Sequence, residues 1–83
     1  MNEIIERLSI AEKQLVGVKN KVALRDLQKM IRNIDSVVKE ISRESVECRR
    51  LKKETLRYND LQAAAVILLD NLDHHIIFAM LLG

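Results

Sequence analysis

Proline is absent from this 83-residue sequence; glycine occurs twice, cysteine once, tryptophan never, and phenylalanine and tyrosine once each. Each shortage excludes something. Without proline, and with only Gly17 and Gly83 as glycines, the chain has few residues that break helices or build tight turns. The lone Cys48 cannot form an internal disulfide, and a reducing cytoplasm fits it best. A net charge of +2 is too small by itself to argue for nucleic acid or an anionic membrane surface. No glycine-rich phosphate loop and no Ser/His/Asp arrangement occurs. The start, MNEIIERL, is charged from its third residue and lacks the apolar core of a signal peptide. The most apolar stretch, Leu61 to Leu82, is interrupted by DNLDHH, which argues against a membrane span.

What is present is helical amphipathicity. The chain is 48% apolar and 31% charged, a composition of helices with two-sided surfaces. Ile4, Leu8, Ala11, Leu15, Val18 and Val22 recur at alternating steps of four and three, one stripe along a helix. A second stripe runs through Ala23, Leu27, Met30, Ile34, Val37 and Ile41, widened by Leu24, Ile31 and Val38. The two are out of phase near Gly17 to Lys21, so VGVKNK predicts a break or bend, with Asn20 as cap of the next segment. Ser9 to Glu12 has the spacing of a capping box.

From Ser42 to Thr55 the pattern stops, and only Val46, Cys48 and Leu51 are apolar there. This segment predicts the chain reversal, with Ser42 or Ser45 capping the next helix; Asn59-Asp60 is the rival turn. The stripe resumes through Leu51, Tyr58, Leu61, Ala65, Leu68 and Leu72. The expected architecture is all-α: one antiparallel helical hairpin with arms of about 3–41 and 46–82 and a turn at about 42–45, the first arm bent near Gly17.

Such a hairpin has surplus apolar surface. In LQAAAVILL, Leu61 to Leu69, Ala64, Ala65 and Leu68 can face the first arm, but Val66, Ile67 and Leu69 cannot all do so. In the tail IIFAMLL, Ile76, Ala79 and Met80 can face inward while Ile77, Phe78 and Leu81 point elsewhere. Exposed apolar clusters invite association, so a second layer is expected from another protein or another copy. The alternative is that the segment before Gly17 folds back as a third helix and covers this surface.

Chemical constellations are few. Asp70, Asp73, His74 and His75 form the only cluster resembling a ligand set, but the Glu-x-x-His spacing of bundle metal sites is missing and adjacent histidines diverge on a helix. They read as a polar collar, and no metal or cofactor is expected. Arg49 and Arg50 flank Cys48, which reads as a free thiol rather than a nucleophile. Arg49, Arg50, Lys52, Lys53 and Arg57 lack interleaved aromatics and are diluted by Glu47, Glu54 and Asp60, so they read as a solvated face with intrahelical ion pairs.

Two family patterns bear comparison. Ile31 to Ile41 resembles part of the opening helix of small all-helical chorismate mutases, but Arg32 stands where that pattern has its first Asp, and Ser45 where it has its active-site Arg. IIERLSIAEKQ (Ile4 to Gln14), a long amphipathic helix, a turn and DLQAAAVILLDNL (Asp60 to Leu72) together resemble the YscE-like family, small co-chaperones of type III secretion needle subunits. The middle is longer and more charged than in that family, and the tail IIFAMLLG is extended.

That resemblance implies a non-enzymatic helical hairpin of the bacterial cytoplasm. It would pair with a small tetratricopeptide-like chaperone, and the pair would keep a secreted needle subunit from polymerising early. The expected partner-binding face is Leu27, Ile31, Ile34 and Val38 on the first arm with Val66, Ile67, Ile77, Phe78 and Leu81 on the second; some of these must form the hairpin seam instead. The rival from another class is a self-associating structural bundle, in which two hairpins bury the same surface. Neither reading includes nucleic acid or a membrane span.

Overall fold

The computed structural model describes residues 2–82 and is 90% helical, without strands among them. α1 spans Asn2–Gln14, a single 3-10 turn spans Leu15–Gly17, α2 spans Lys21–Leu51 and α3 spans Leu56–Leu81. α2 and α3 form the antiparallel hairpin, and α1 folds back to pack on both. The result is a rod of 49 × 17 × 15 Å.

α1 buries Ile4, Leu8 and Ala11, the residues of the first stripe. Ser9 lies inside this helix and caps nothing, so the expected capping box is not formed. The break falls where the two stripes lose phase. Val18 donates its N–H to the Leu15 carbonyl at 3.0 Å, leaves the helix in extended conformation and is itself buried. Asn20 then caps α2, its Oδ1 accepting the Ala23 N–H at 3.0 Å, the role expected of it.

The reversal lies at Lys52–Thr55, not at residues 42–45. SRESVEC continues α2 because nothing in it breaks a helix, and its polar side chains are satisfied there. Ser42 donates to the Val38 carbonyl at 3.1 Å, and Arg43 pairs with Glu40. Lys52 adopts the left-handed region, φ 58°, ψ 35°. The Lys52 N–H reaches the Arg49 carbonyl at 3.3 Å and the Lys53 N–H reaches the Cys48 carbonyl at 3.1 Å, a Schellman ending. Thr55 starts α3, accepting the Tyr58 N–H at 3.1 Å on Oγ1 while donating from the same atom to Glu44 at 2.8 Å. Asn59-Asp60, the rival turn, lies within α3.

Moving the turn changes the register of the two arms. A turn at 42–45 would set Leu27 opposite Leu61; in the structure Leu27 instead shares a groove wall with Ala79 and Leu82. The core is one continuous seam: Leu27, Ile31, Ile34, Val38 and Ile41 from α2 against Ala65, Leu69, Leu72, Ile76 and Ala79 from α3, all at or below 9% exposure. α1 is 13 residues long, roughly 20 Å at about 1.5 Å per residue, so it runs beside this seam, with Ile4 against Gln62 and Val66, but stops short of the turn. The rod is thus three helices thick at the end holding Gly17 and two helices thick at the Lys52–Thr55 end.

Candidate docking surface

The expected face divides sharply. Leu27, Ile31, Ile34 and Val38 are buried in the seam between α2 and α3 and are not presented to a partner. Their apolar positions at steps of four and three are what holds α2 to α3. Val66 (41% exposed), Ile67 (67%), Ile77 (58%), Phe78 (67%) and Leu81 (78%) face outward. Leu69, read with Val66 and Ile67 as competing for the inside, is fully buried and takes the place.

The two long helices therefore differ in kind. α2 turns a charged outer surface to solvent, with Asp35–Lys39 at 3.2 Å, Glu40–Arg43 and Glu47–Arg50 along it. α3 buries one apolar side and exposes another. A helix that is apolar all round ordinarily lies inside a larger assembly or a membrane. The fold-back of α1 does not remove this surplus. It lies along one flank of α3, where Ile10, Ile77 and Met80 line a groove of about 400 Å³. On the other flank Phe78 and Leu82 line a smaller groove of about 160 Å³ with Ala23 and Leu27 of α2.

A polar collar crosses the apolar face at mid-helix. Arg7 of α1 bridges two carboxylates of α3, reaching Asp70 at 2.9 Å and Asp73 at 2.8 Å. Those hydrogen bonds, to Asp73 first and then Asp70, raise the guanidinium pKa above its ordinary value. His74 gives its Nδ1–H to the Asp70 carbonyl at 2.8 Å, and His75 likewise to Asn71 at 2.9 Å. Both rings thus fold onto the preceding turn with Nε2 directed away from it. Among the described residues no three His, Cys, Asp or Glu side chains gather around one point. Arg7 was not legible as part of the collar, because its partners are 63 and 66 residues away and only the observed register joins them.

At the other end, Arg57 reaches Glu40 at 3.0 Å and Glu44 at 3.6 Å, and Arg50 pairs with Glu47, whose carboxyl it holds below the usual range. The basic run is therefore partly neutralised by its own neighbours. Cys48 is half-buried beside the turn, its Sγ 3.5 Å from the Thr55 N–H.

By length and composition α3 is able to cross a membrane, its most apolar 18-residue window having a mean hydropathy of 1.4 with 28% of that window buried. The interruption at DNLDHH lies within one continuous helix and does not shorten it. No known family, curated protein or solved structure matches the chain.

Proposed function

We propose that the protein is a non-enzymatic helical adaptor that works by docking the outer face of α3 on another protein. One observation carries this reading: α3 is apolar on the side away from α2, while α2 is charged on its own outer side. Burying a Leu, Ile or Phe side chain stabilises by about 1.5–3 kcal/mol, so Ile67, Ile77, Phe78 and Leu81 together supply enough driving force for a specific complex. The collar favours a protein cover over lipid. Asp70, Asp73 and Arg7 at mid-helix are costly in hydrocarbon but are readily hydrogen-bonded at a protein interface.

The resemblance to the YscE-like family supplies the partner's identity. On this reading the chain acts in the bacterial cytoplasm and stabilises a small tetratricopeptide-like chaperone by binding its folded form. The chaperone in turn holds an amphipathic helix of the needle subunit in its groove and blocks premature assembly. The face differs from the one expected in sequence only by losing Leu27, Ile31, Ile34 and Val38.

The test is purification of the tagged chain from its native host, with masses by light scattering and components by mass spectrometry. Expected is a stoichiometric helical-repeat chaperone, retained by the unaltered chain and lost with Ile67→Glu or Phe78→Glu. Retention of that protein by both variants overturns the docking face. Recovery of the chain without any helical-repeat protein overturns the co-chaperone reading.

A further inference from the structure

The outer side of α3 is itself a heptad seam. Ala63, Ile67, Asp70, His74, Ile77 and Leu81 recur at steps of four and three, and all are exposed, opposite the buried seam of Ala65, Leu69, Leu72, Ile76 and Ala79. This outer seam is also symmetric. Ala63 and Leu81 lie nine residues either side of Leu72, Ile67 and Ile77 five, and Asp70 and His74 two.

We infer that the occupant of this face, in the absence of any other protein, is a second copy of the chain, paired α3 to α3 antiparallel about a two-fold axis at Leu72. Antiparallel coiled helices stack in mixed layers, each heptad position meeting its counterpart from the reversed strand. Here every layer is complementary: the large Leu81 meets the small Ala63, Ile67 meets Ile77, and the Asp70 carboxylate meets the His74 imidazole. The flanking positions agree, with Phe78 opposite Ala64 and Met80 opposite Val66. Parallel pairing would instead set Asp70 against Asp70 and leave two small Ala63 residues facing. A buried polar layer of this kind fixes register and direction. Asp73 approaches its own symmetry mate, but each is already held by its own Arg7 at 2.8 Å.

The pairing places α3 at the centre of a six-helix assembly, flanked by α1 and α2 of each copy, which gives both of its apolar sides a cover. It rests on the outer face of α3 being the docking surface, as proposed above, and adds regulation: the second copy occludes the face that a foreign partner must use. The seam is about 27 Å long at about 1.5 Å per residue, a modest interface that a better-fitting partner can displace.

Paired cysteines test the direction directly. In a Cys48→Ser background, Ala63→Cys and Leu81→Cys sit about 27 Å apart on one helix and cannot join within a chain. Expected on mild oxidation is a covalent dimer of the double variant, none of Ala63→Cys alone, and a light-scattering mass of twice 9.6 kDa for the unaltered chain. His74→Glu should weaken the dimer about tenfold or more, while His74→Lys keeps it; circular dichroism checks that both stay helical. A chain monomeric at all accessible concentrations, or a covalent dimer formed by Ala63→Cys alone, overturns the inference. The assay holds only this chain, so its outcome is independent of whether a chaperone is found.

Discussion

Single side chains in this fold have unequal weight, and their position relative to the α2–α3 seam decides it. Ile34 is 1% exposed and Ile67 67% exposed, although both are isoleucines on heptad steps. Removing one methyl from a packed core leaves a void, so Ile34→Val should lower unfolding free energy by about 1 kcal/mol. Ile67→Val should change it by less than about 0.3 kcal/mol in dilute solution, where the face is uncovered. Urea titration of the two variants measures both; equal losses would place Ile67 in the core. Arg7 is a different case. It is the only described link that ties α1 to the collar of α3 by charge, and its side chain is 30% exposed. Exposed or partly exposed ion pairs contribute little, so Arg7→Met should cost at most about 1 kcal/mol. The loss should shrink as salt is raised. A loss unaffected by salt would point to packing of the Arg7 stem instead.

Helix boundaries depend on fewer residues than helix faces do, and this separates what could be read in the sequence from what could not. The apolar stripes were legible because they are long: the steps of four and three select the buried residues of α1 and Leu27, Ile34 and Ile41 of α2, while buried Ile31 and Val38 belong to the widening of that stripe. The break at Gly17 and the Asn20 cap were legible because a phase slip and a capping residue coincide there. The reversal was not. Residues 42–45 looked like the turn because Ser42 to Thr55 holds few apolar residues, but a two-helix end has little core to fill, so polar residues serve there. The true turn is carried by Lys52 in the left-handed region, a conformation that a lysine enters only at a cost and that no sequence pattern announces. That yields a prediction for the element. Lys52→Gly should stabilise the hairpin by about 1 kcal/mol, raising the thermal midpoint followed by circular dichroism. If the midpoint fell instead, the Lys52 side chain would have a stabilising role that outweighs its backbone strain. The docking face was half legible for the same reason as the turn. Periodicity shows that a side chain is apolar on a stripe, but only the register shows which stripe meets α1 or α2 and which meets nothing.

At the scale of the molecule, the rod is built unevenly, and its stability should follow the number of layers. From Ile4 to Gln14, α1 closes the bundle beside Val66, Asp73 and Ile76 of α3, and the fully buried large side chains all lie on that side of the turn end, from Leu27 to Ile41 and from Leu69 to Ile76. Beyond Ile41 and Ala65, the interface toward the turn consists of half-buried Glu44, Ser45, Cys48, Thr55, Tyr58 and Leu61. Thr55–Glu44 and Arg57–Glu44 bonds hold it in place of a core. Partly exposed hydrogen bonds and ion pairs give little net stability, and local opening begins where apolar contact is sparse. Amides near Glu44 to Arg50 and Asn59 to Gln62 should therefore exchange with solvent well before those of Leu27 to Ile34 and Leu69 to Ile76, in a hydrogen-exchange experiment on the dilute chain. The order also bears on the partner. If the outer face of α3 is covered, by a second copy or a foreign chain, the cover spans Ala63 to Leu81 and leaves Leu51 to Asp60 as open as before. Added protection should then appear along α3 but stop short of the turn. Protection spreading equally through Lys52–Thr55 would mean that the partner grips the two-helix end, and the docking surface would have to be moved there.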